Sequence, residues 1–600
     1  MHPQCRRPVL LCLLSIAISF SGLPSVTANP GPVQQSRSGK LRRPQTLTRL
    51  GDRIYVGNRD SGSISILDVK SLALLNEYRI SNQVDDLIGH SDPGLLLAVD
   101  STSHELLQIA VTKDALQVTS RMTVADYPAS VVIMPSGDQA SVASRWSRRV
   151  TLVMLAADHR NPLRATRIID LPFAPQKQLV LDNRHILVSD AFAGQLAVVD
   201  AETGTIRTLR AVNGHNIRGL ALTDGGRQIL MTHQIMLSIT ATTRSRISWG
   251  GVVSNSLHTI PVQELFRLSP GSGTTPATIY GQLYPLGEER NAAGDPYGIV
   301  AAADGRTFVS LSGVHEVCLK RKHDLRLTRT DTAAGPTALL FDEDLNRLFV
   351  ANTFDDSVSM FDGESLQELQ RVRLGPTAQR TLEQSGEELF HDARLSLDGW
   401  FSCHSCHSDG HTTGRLNDNF SDQSFGTPKR ILTLLGAGDT RPWAWNGRTT
   451  ALEQQVQHSI EQTMAGSTGT GDTVSAHRIR AITAFIRSLP PAPSLLAARG
   501  SFDQAAVERG RKVFLKHGCG ACHQPPVFTS PSVFDVAIHD ETGQAQFNPP
   551  SLRGVSQRGP YFHDNRAVSL TELLTTHDHD GASRLQPSDQ SDLLLFLNSL

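Results

Sequence analysis

The chain has 600 residues, of which 39% are hydrophobic, and its formal net charge is −1. This length exceeds one ordinary domain and indicates about three or four. The near-neutral balance of charge excludes the basic tract of a typical nucleic-acid-binding protein and an acidic tail.

The first 28 residues have the features of a secretory signal peptide. Arg6 and Arg7 give a basic start, an apolar run occupies residues 9–20, and Val-Thr-Ala at 26–28 provides small residues for cleavage. A membrane anchor is the alternative, but the run is short for a membrane span. We therefore expect export to the bacterial periplasm, with no membrane span in the mature chain.

From about residue 40 to 375, one β-rich phrase recurs. The clearest copies are DRIYVGNRDSGSISILD at 52–68, HILVSDAFAGQLAVVD at 185–200 and NRLFVANTFDDSVSMFD at 346–362. Weaker copies begin near Leu95, Gly137, Arg227 and Arg306, which makes seven. Each is a strand, a polar turn and a second strand, which is the pattern of a hairpin.

Most copies are about 41–48 residues apart, and one gap of about 79 indicates an insertion near 240–290. A β period of about 40–45 residues is typical of propeller blades. We predict an all-β seven-bladed propeller over 40–375, with a β-solenoid or a pair of sandwiches as alternatives. Phrases such as YVGN and FVAN resemble the YVTN-type bacterial β-propellers, a family of binding platforms, and the ligand is unknown.

After about residue 376, short helical patterns replace the β phrases. Two pairs of segments align with each other. GEELFHDARLSLDGWFSCHSCH at 386–407 aligns with GRKVFLKHGCGACH at 510–523, and RPWAWNGRTTALEQQV at 441–456 aligns with GPYFHDNRAVSLTELL at 559–574. The sequence predicts two mainly α modules, at 376–490 and 500–600, joined by the proline- and alanine-rich stretch at 489–501.

Each module carries one Cys-x-x-Cys-His motif. Two thiols at this spacing can form a disulfide, bind zinc or add to the two vinyl groups of haem, and the following histidine favours c-type haem attachment. Two covalently bound haems are therefore predicted, held by Cys403, Cys406 and His407 in the first module and by Cys519, Cys522 and His523 in the second. His404, inside the first motif, is expected to face solvent.

The two modules resemble the bacterial di-haem cytochrome c peroxidase and MauG family. The resemblance rests on LFHDARLSLDGWFSCHSCH, on Trp-Asn-Gly-Arg at 445–448, on GCGACH and on SLRGV…GPYFHDNR. It implies a first haem that reacts with peroxide and a second that supplies electrons. It also implies a bridging role for Trp445, which could instead be a core aromatic, and a proton-shuttling role for Glu461, which could instead be a surface residue.

The distal ligands depart from the family pattern, which places a Met or Tyr on the second haem. Here the count from the FHD motif reaches His577, while His579 matches the relatives' ending, so both are candidates for His ligation. The first haem is open, or it uses His458 or Met464. The resemblance also implies an Asn that holds calcium, but Arg430 occupies that place, so calcium is doubtful.

The resulting expectation is an exported di-haem c-type cytochrome that reduces hydrogen peroxide. Its electron donor would be a small redox protein such as a cytochrome c or a cupredoxin. One alternative is a MauG-like oxidase of a protein or organic substrate. The other is a non-catalytic electron-transfer or haem-sensor protein that uses the propeller as a binding platform.

Overall fold

A computed structural model describes residues 26–27, 39–91, 94–112, 115–155, 163–267, 276–466, 476–500 and 503–600. The predicted signal peptide lies outside these residues, apart from the backbone of Val26–Thr27. None of the described helices combines the length and the apolar character needed to cross a bilayer.

Seven antiparallel sheets, each built on four sequential strands, form the N-terminal part. From the first blade to the seventh, the strands are Pro44–Leu50, Arg53–Asn58, Ser63–Asp68 and Leu74–Arg79; Asp86–Gly89, Leu95–Asp100, Glu105–Val111 and Leu116–Thr123; Pro128–Ile133, Gln139–Ser144, Arg149–Met154 and Arg164–Asp170; Pro175–Val180, His185–Asp190, Gln195–Asp200 and Thr205–Ala211; His215–Thr223, Gln228–Met236, Val253–Pro261 and Gln282–Pro285; Pro296–Ala301, Thr307–Leu311, Glu316–Lys320 and Leu327–Asp331; and Pro336–Asp342, Arg347–Asn352, Ser357–Asp362 and Glu368–Arg373.

The blades close into a ring, because the first strand of blade one contacts the first strands of blades two and seven. This confirms the predicted seven-bladed propeller. No strand of the described part is exchanged between blades one and seven. Instead, the backbone N–H groups of Arg42 and Arg43 donate to the Asp356 carboxylate at 3.0 and 2.8 Å, and Thr353 Oγ1 donates to the Pro44 carbonyl at 2.6 Å.

The aspartate at the end of each clear sequence repeat makes local contacts that explain the repeat. Asp68 Oδ1 accepts the backbone N–H groups of Lys70 and Ser71, and its other oxygen pairs with Arg53 at 3.0 Å. The equivalent pairs in blades four and seven are Asp200 with Arg184 and Asp362 with Arg347. One carboxylate thus fixes both the turn and the preceding strand, which explains why the phrase repeats.

Two short strands and two short helices extend the regular blades. Val26–Thr27 pairs with the last strand of blade two, and Ala277–Thr278 pairs with the last strand of blade four. The helices α1, Arg244–Ser248, and α2, Val262–Phe266, lie within blade five. The two helices and Ala277–Thr278 lie in the long gap between the fifth and sixth copies and account for part of its length.

The C-terminal part is mainly helical, as predicted. Its helices are α3, Leu382–Phe390; α4, Cys403–Cys406; α5, Leu452–His458, which continues as the π-turn Ser459–Thr463; α6, Ala476–Ser488; α7, Leu495–Ala498; α8, Gln504–Lys516; α9, Leu570–Thr575; and α10, Pro587–Ser599. The 3₁₀ turns among the described residues are Ser312–Val314, Ala393–Leu395, Leu397–Gly399, Ser408–Gly410, Phe420–Asp422, Ala437–Asp439, Cys519–Ala521, Val555–Gln557 and His579–Arg584. Leu416–Asn417 pairs with Lys429–Arg430, and Phe534–Asp535 with Gln546–Phe547.

The two modules share one close helix crossing. In the first, α3 packs on α6, and a Cβ at Gly386 would lie 1.9 Å from the carbonyl oxygen of Ala481. In the second, α8 packs on α10, and a Cβ at Gly510 would lie 1.9 Å from the carbonyl oxygen of Asp592. The glycines of GEELF and GRKVF therefore permit the same backbone approach in both modules.

Candidate haem sites

The first Cys-x-x-Cys-His motif forms the single helical turn α4. The backbone N–H of Ser402 donates to Ser405 Oγ at 2.9 Å, and that of His407 donates to the Cys403 carbonyl at 2.9 Å. Residues three apart on such a turn share one face. Cys403 and Cys406 are therefore presented together, and both are free thiols.

A cavity lies beside α4, with both cysteines and His407 in its wall. Much of the rest is apolar and comes from α3, α5, α6 and the segments between them: Phe390, Phe401, Ile431, Leu452, Val456, Ile482 and Ile486. An apolar cavity with two thiols and an imidazole on one side suits a porphyrin attached through sulfur. The residues present therefore fit haem.

The histidines of both motifs are oriented by backbone carbonyls. His407 Nδ1 lies 2.8 Å from the Leu432 carbonyl, and His523 Nδ1 lies 3.2 Å from the Phe528 carbonyl. Burial lowers the pKa of His407 to about 4, and burial with the charge of His579 lowers the pKa of His523 to about 4. A neutral imidazole that donates from Nδ1 carries its lone pair on Nε2, which is the atom a metal would bind.

The two candidate partners of the second motif, His577 and His579, have different surroundings. The rings of His577 and His579 both pack against Phe562, with centroid distances of 5.8 and 5.6 Å. His577 Nε2 lies 3.6 Å from Glu572 Oε1. Burial lowers the pKa of His523 most, and the charges of His579 and Arg558 lower it further. The arrangement therefore favours His579 over His577.

The same backbone feature marks the corresponding place in the first module. His579 is followed by Asp580 with φ 54° and then by Gly581, and Met464 is followed by Ala465 with φ 48° and then by Gly466. Met464 is 3% exposed and lies in the wall of the first cavity. By backbone conformation, Met464 is thus the counterpart of His579.

One part of the first cavity wall is formed by α5 and the turn that follows it, through Gln455, Ser459, Thr463 and Met464. Two predicted residues of the same helical segment, His458 and Glu461, are not among the described residues that line it. The carboxylate of Glu461 instead accepts a hydrogen bond from Gln457 Nε2 at 2.9 Å, on the exposed side of the segment. The structure therefore brings Met464 to the first motif but not Glu461 or His458.

Trp445 lies between the first cavity and the second module. Its ring lines the cavity, and its Nε1 donates to the Arg430 carbonyl at 2.7 Å. On the other side, its ring meets Phe547 and His563 edge-on, at centroid distances of 6.4 and 6.3 Å. Phe547 and His563 stack on each other at 4.6 Å. An aromatic group thus connects the two modules at this position.

Comparison with known families identifies the helical region. Residues 381–495 match the family model of the di-haem cytochrome c peroxidases. The chain is 27% identical over 282 residues to methylamine utilization protein MauG of Methylophilus methylotrophus, covering 37% of this chain and 83% of that protein. It is 24% identical over 303 residues to cytochrome c551 peroxidase of Pseudomonas aeruginosa, covering 42% of this chain and 87% of that protein.

Among solved structures, hydrazine synthase of Kuenenia stuttgartiensis aligns with 56% of this chain and 100% of the matched chain. The sequence identity is 18% and the TM-score 0.47. The chain thus combines a seven-bladed β-propeller with a mainly helical region that contains a domain of the di-haem peroxidase family.

The peroxidase-family region packs on the propeller, and this contact corrects one expectation. His404, predicted to face solvent, is only 3% exposed. Its Nε2 lies 2.9 Å from Arg218 Nη2 in blade five and 3.2 Å from Asp409 Oδ1, and its Nδ1 lies 3.7 Å from Asp295 Oδ1. The prediction was wrong because the propeller covers this side of α4.

Residues of this network could in principle hold a metal ion. Ligand atoms of His391, His404 and Asp409 lie within 4.8 Å of one another. However, the Asp409 carboxylate already pairs with Arg145 at 3.0 Å and with Arg218 at 3.1 Å. Two guanidinium groups on the only carboxylate of this cluster disfavour a cation there.

Sequence reasoning missed several residues of the site. Gln455 and Thr463 lie on the cavity wall but belong to no motif, and Arg558 lines the same cavity from the second module. Helical spacing links Gln455 to the cavity wall, because Gln455 lies one helical turn before Ser459, which lines the same cavity. No signal in the sequence indicates that Asp295 of the propeller reaches α4.

Proposed function

We propose that this protein is a periplasmic c-type di-haem oxidoreductase that reduces hydrogen peroxide with electrons from a small redox protein. The oxidoreductase class agrees with the relatives, which are named as peroxidases and MauG. Periplasmic location rests on the predicted signal peptide. Two covalently bound haems rest on the two motifs and on the cavity beside the first.

The observation that carries this proposal is a polar part of the first cavity wall, formed by Gln455, Ser459 and Thr463. Ser459 Oγ donates to the Gln455 carbonyl at 2.9 Å. The side chains of Gln455 and Thr463 can donate hydrogen bonds to the oxygens of a small bound molecule, in a cavity otherwise rich in apolar groups. When bound, haem supplies an iron that takes up peroxide and exchanges electrons.

The second module differs from the first in having two candidate histidine ligands, His523 and His579. Burial lowers the pKa of both His523 and His579, so both imidazoles are available as neutral ligands at neutral pH. If both held the iron of a bound haem, no position would remain for a substrate, which would suit a group that only passes electrons. Trp445 and His563 lie between the two sites and provide the contact across the modules.

A second candidate function, electron transfer without turnover, is favoured by Met464. Its thioether lies in the cavity wall, and its backbone position corresponds to that of His579. If Met464 filled the last coordination position at the first motif, peroxide would be excluded. The MauG-like oxidase remains a third alternative, and it shares an open first site with the peroxidase.

Electron paramagnetic resonance tests these alternatives. The spectrum is recorded in the fully oxidised and half-reduced states, with and without hydrogen peroxide. A high-spin ferric signal that peroxide consumes supports a peroxidase or oxidase, and peroxide-dependent oxidation of a reduced cytochrome c then distinguishes the peroxidase. Two low-spin signals that peroxide leaves unchanged in both states would refute the proposal and leave electron transfer.

A variant pair sharpens the test. Ser459→His places an imidazole on the cavity wall and should convert the first site to a low-spin form that no longer turns over peroxide. Gln457→His, on the exposed face of the same helix, is the matched control and should leave the spectrum unchanged. Equal behaviour of the two variants would show that this wall does not face the first iron.

A further inference from the structure

Two buried arginines lie side by side in the wall of the first cavity. Arg430 is 5% exposed and Arg558 is 7% exposed, and both line that cavity. Arg430 Nη2 donates to the carbonyl of Arg558, and Arg558 Nη2 donates to the carbonyl of Ser551. Two positive charges are therefore held close together inside the protein.

Neither guanidinium has a carboxylate partner within the described part of the chain. No ion pair joins either group to an acidic side chain there, and the neighbour that favours their charge is the phenol of Tyr561. The Nε of Arg430 is buried and has no hydrogen-bond partner among the described residues. Burial and the charge of Arg558 lower the pKa of Arg430 to about 9, and burial lowers the pKa of Arg558 to about 10.

Other buried arginines of the same protein have the carboxylate partner that Arg430 and Arg558 lack among the described residues. Arg42 pairs with Glu77 at 2.8 Å, Arg43 with Glu387 at 3.2 Å and Arg218 with Asp409 at 3.1 Å. Removing a charge from water costs several kcal/mol or more unless an opposite charge compensates it. The pair formed by Arg430 and Arg558 is thus incomplete without an anion.

We propose that Arg430 and Arg558 form a carboxylate-binding pair that receives the propionate groups of the porphyrin held by the first motif. This inference rests on the proposed haem site. Guanidinium groups bind carboxylates through paired N–H donors, and an uncompensated pair beside the thiols and imidazole of one cavity has the chemistry that such a ligand requires.

The backbone fixes this pair at the junction of the two modules. The N–H of Arg430 donates to the His563 carbonyl at 2.6 Å, and its own carbonyl accepts from Trp445 Nε1 at 2.7 Å. Arg430 therefore belongs to the first module but is anchored to the second, and Arg558 reaches the same cavity from the second. A carboxylate bound between them would join the modules at the place where Trp445 connects them.

The test is the midpoint potential of each haem in the full-length holoprotein, measured by spectroelectrochemical titration. Positive charge near a haem favours its reduced state, so Arg430→Gln and Arg558→Gln should each lower the potential at the first site. We expect about a tenfold change in the reduction equilibrium, which is about 59 mV for a one-electron couple. Arg430→Lys keeps the charge and should restore most of the shift.

Arg487→Gln is the matched control, because Arg487 is exposed and pairs with Glu453 on the outer surface. It should leave both potentials unchanged. Unchanged potentials in both Gln variants, with full haem content, would overturn the inference while leaving the proposed function intact. Absence of haem from the wild-type protein would overturn both.

A soluble anion is the other source of a carboxylate, and a second arm separates it. The wild-type protein is exchanged into buffer free of carboxylates and then titrated with acetate. A potential that follows acetate concentration would assign the pair to a soluble anion and overturn the porphyrin assignment.

If the Gln variants do not fold, an infrared measurement on the wild-type protein still tests the inference. Guanidinium bands identified by ¹⁵N-arginine labelling are expected in the redox-difference infrared spectrum. Their absence would overturn the inference.

Discussion

Ser405, inside the first Cys-x-x-Cys-His motif, donates a hydrogen bond to the carboxylate of Asp295 in the propeller, with an oxygen–oxygen distance of 2.6 Å. Both residues are buried. Asp295 also accepts from Ser402 Oγ at 2.5 Å, and the Ser405 carbonyl accepts from Asn216 Nδ2 at 3.1 Å. The propeller therefore holds the helical turn that carries the cysteines, rather than merely adjoining it.

Asp295→Ala should destabilise the contact between propeller and first module. It leaves two buried hydroxyls without their acceptor, at a cost of about 1–3 kcal/mol each. We expect a lower urea midpoint and a lower haem content at the first site. Asp324→Ala, an exposed aspartate near the end of the same blade, is the control. Equal midpoints for the two variants would contradict a holding role.

Asp409 should make this contact sensitive to acid. Burial raises its pKa, but the charges of Arg218 and Arg145 and the hydrogen bond to His404 outweigh burial and hold the pKa well below 3.8. A group with a depressed folded-state pKa stabilises the fold above its unfolded value and loses that contribution as the pH falls.

Asp409→Asn should therefore be less stable than wild type at neutral pH, by about 1.5–3 kcal/mol. The difference should shrink as the pH falls below 3.8. Unfolding measured against pH checks this, and a difference that stays constant down to the lowest pH would assign the effect to packing instead of charge.

His579→Ala should convert the second site from low-spin to high-spin, whereas His577→Ala should keep it low-spin. The reason is that His577 Nε2 lies 3.6 Å from Glu572 Oε1, while the charge of His579 acts on His523. Paramagnetic resonance of the two variants checks the assignment. The reverse pattern would give the ligand role to His577.

Glu461→Gln should leave peroxide turnover within about twofold of wild type. A positioned general acid–base group is worth about 10²–10⁴-fold, and the Glu461 carboxylate lies outside the described cavity wall. Gln455→Ala, in contrast, removes a polar group from that wall and should lower kcat/KM about tenfold, the value of one hydrogen bond. A large loss in Glu461→Gln would restore it as the proton shuttle.

Calcium chelation should leave the spectra and potentials unchanged. Arg430 places a guanidinium where the family resemblance implies an asparagine ligand, and Arg558 adds a second positive charge beside it. Metal analysis after gel filtration checks this expectation. Calcium retained in a stoichiometric amount would contradict it.

The fold could be predicted from sequence where its causes are local. The Asp68–Arg53 arrangement recurs in blades four and seven, and the hairpin pattern recurs in all seven, so seven phrases indicated seven blades. The motif spacing likewise indicated both thiol pairs. The residues of α5 and the following turn that reach the cavity could not be predicted by counting. The π-turn Ser459–Thr463 changes the number of residues per turn, and Glu461 does not line the cavity. The burial of His404 depends on residues far away in sequence, which no local pattern reveals.

The burial of the first motif has a consequence for assembly. Between its cysteines, His404 and Ser405 are covered by the propeller, whereas Ala521 at the equivalent place of the second motif is exposed. An enzyme that attaches haem needs to bind the segment around the cysteines. Under the proposed function, the first thioether bonds would have to form before the propeller docks, while the second motif stays reachable afterwards. Maturation would then follow a fixed order, with the propeller as its closing step.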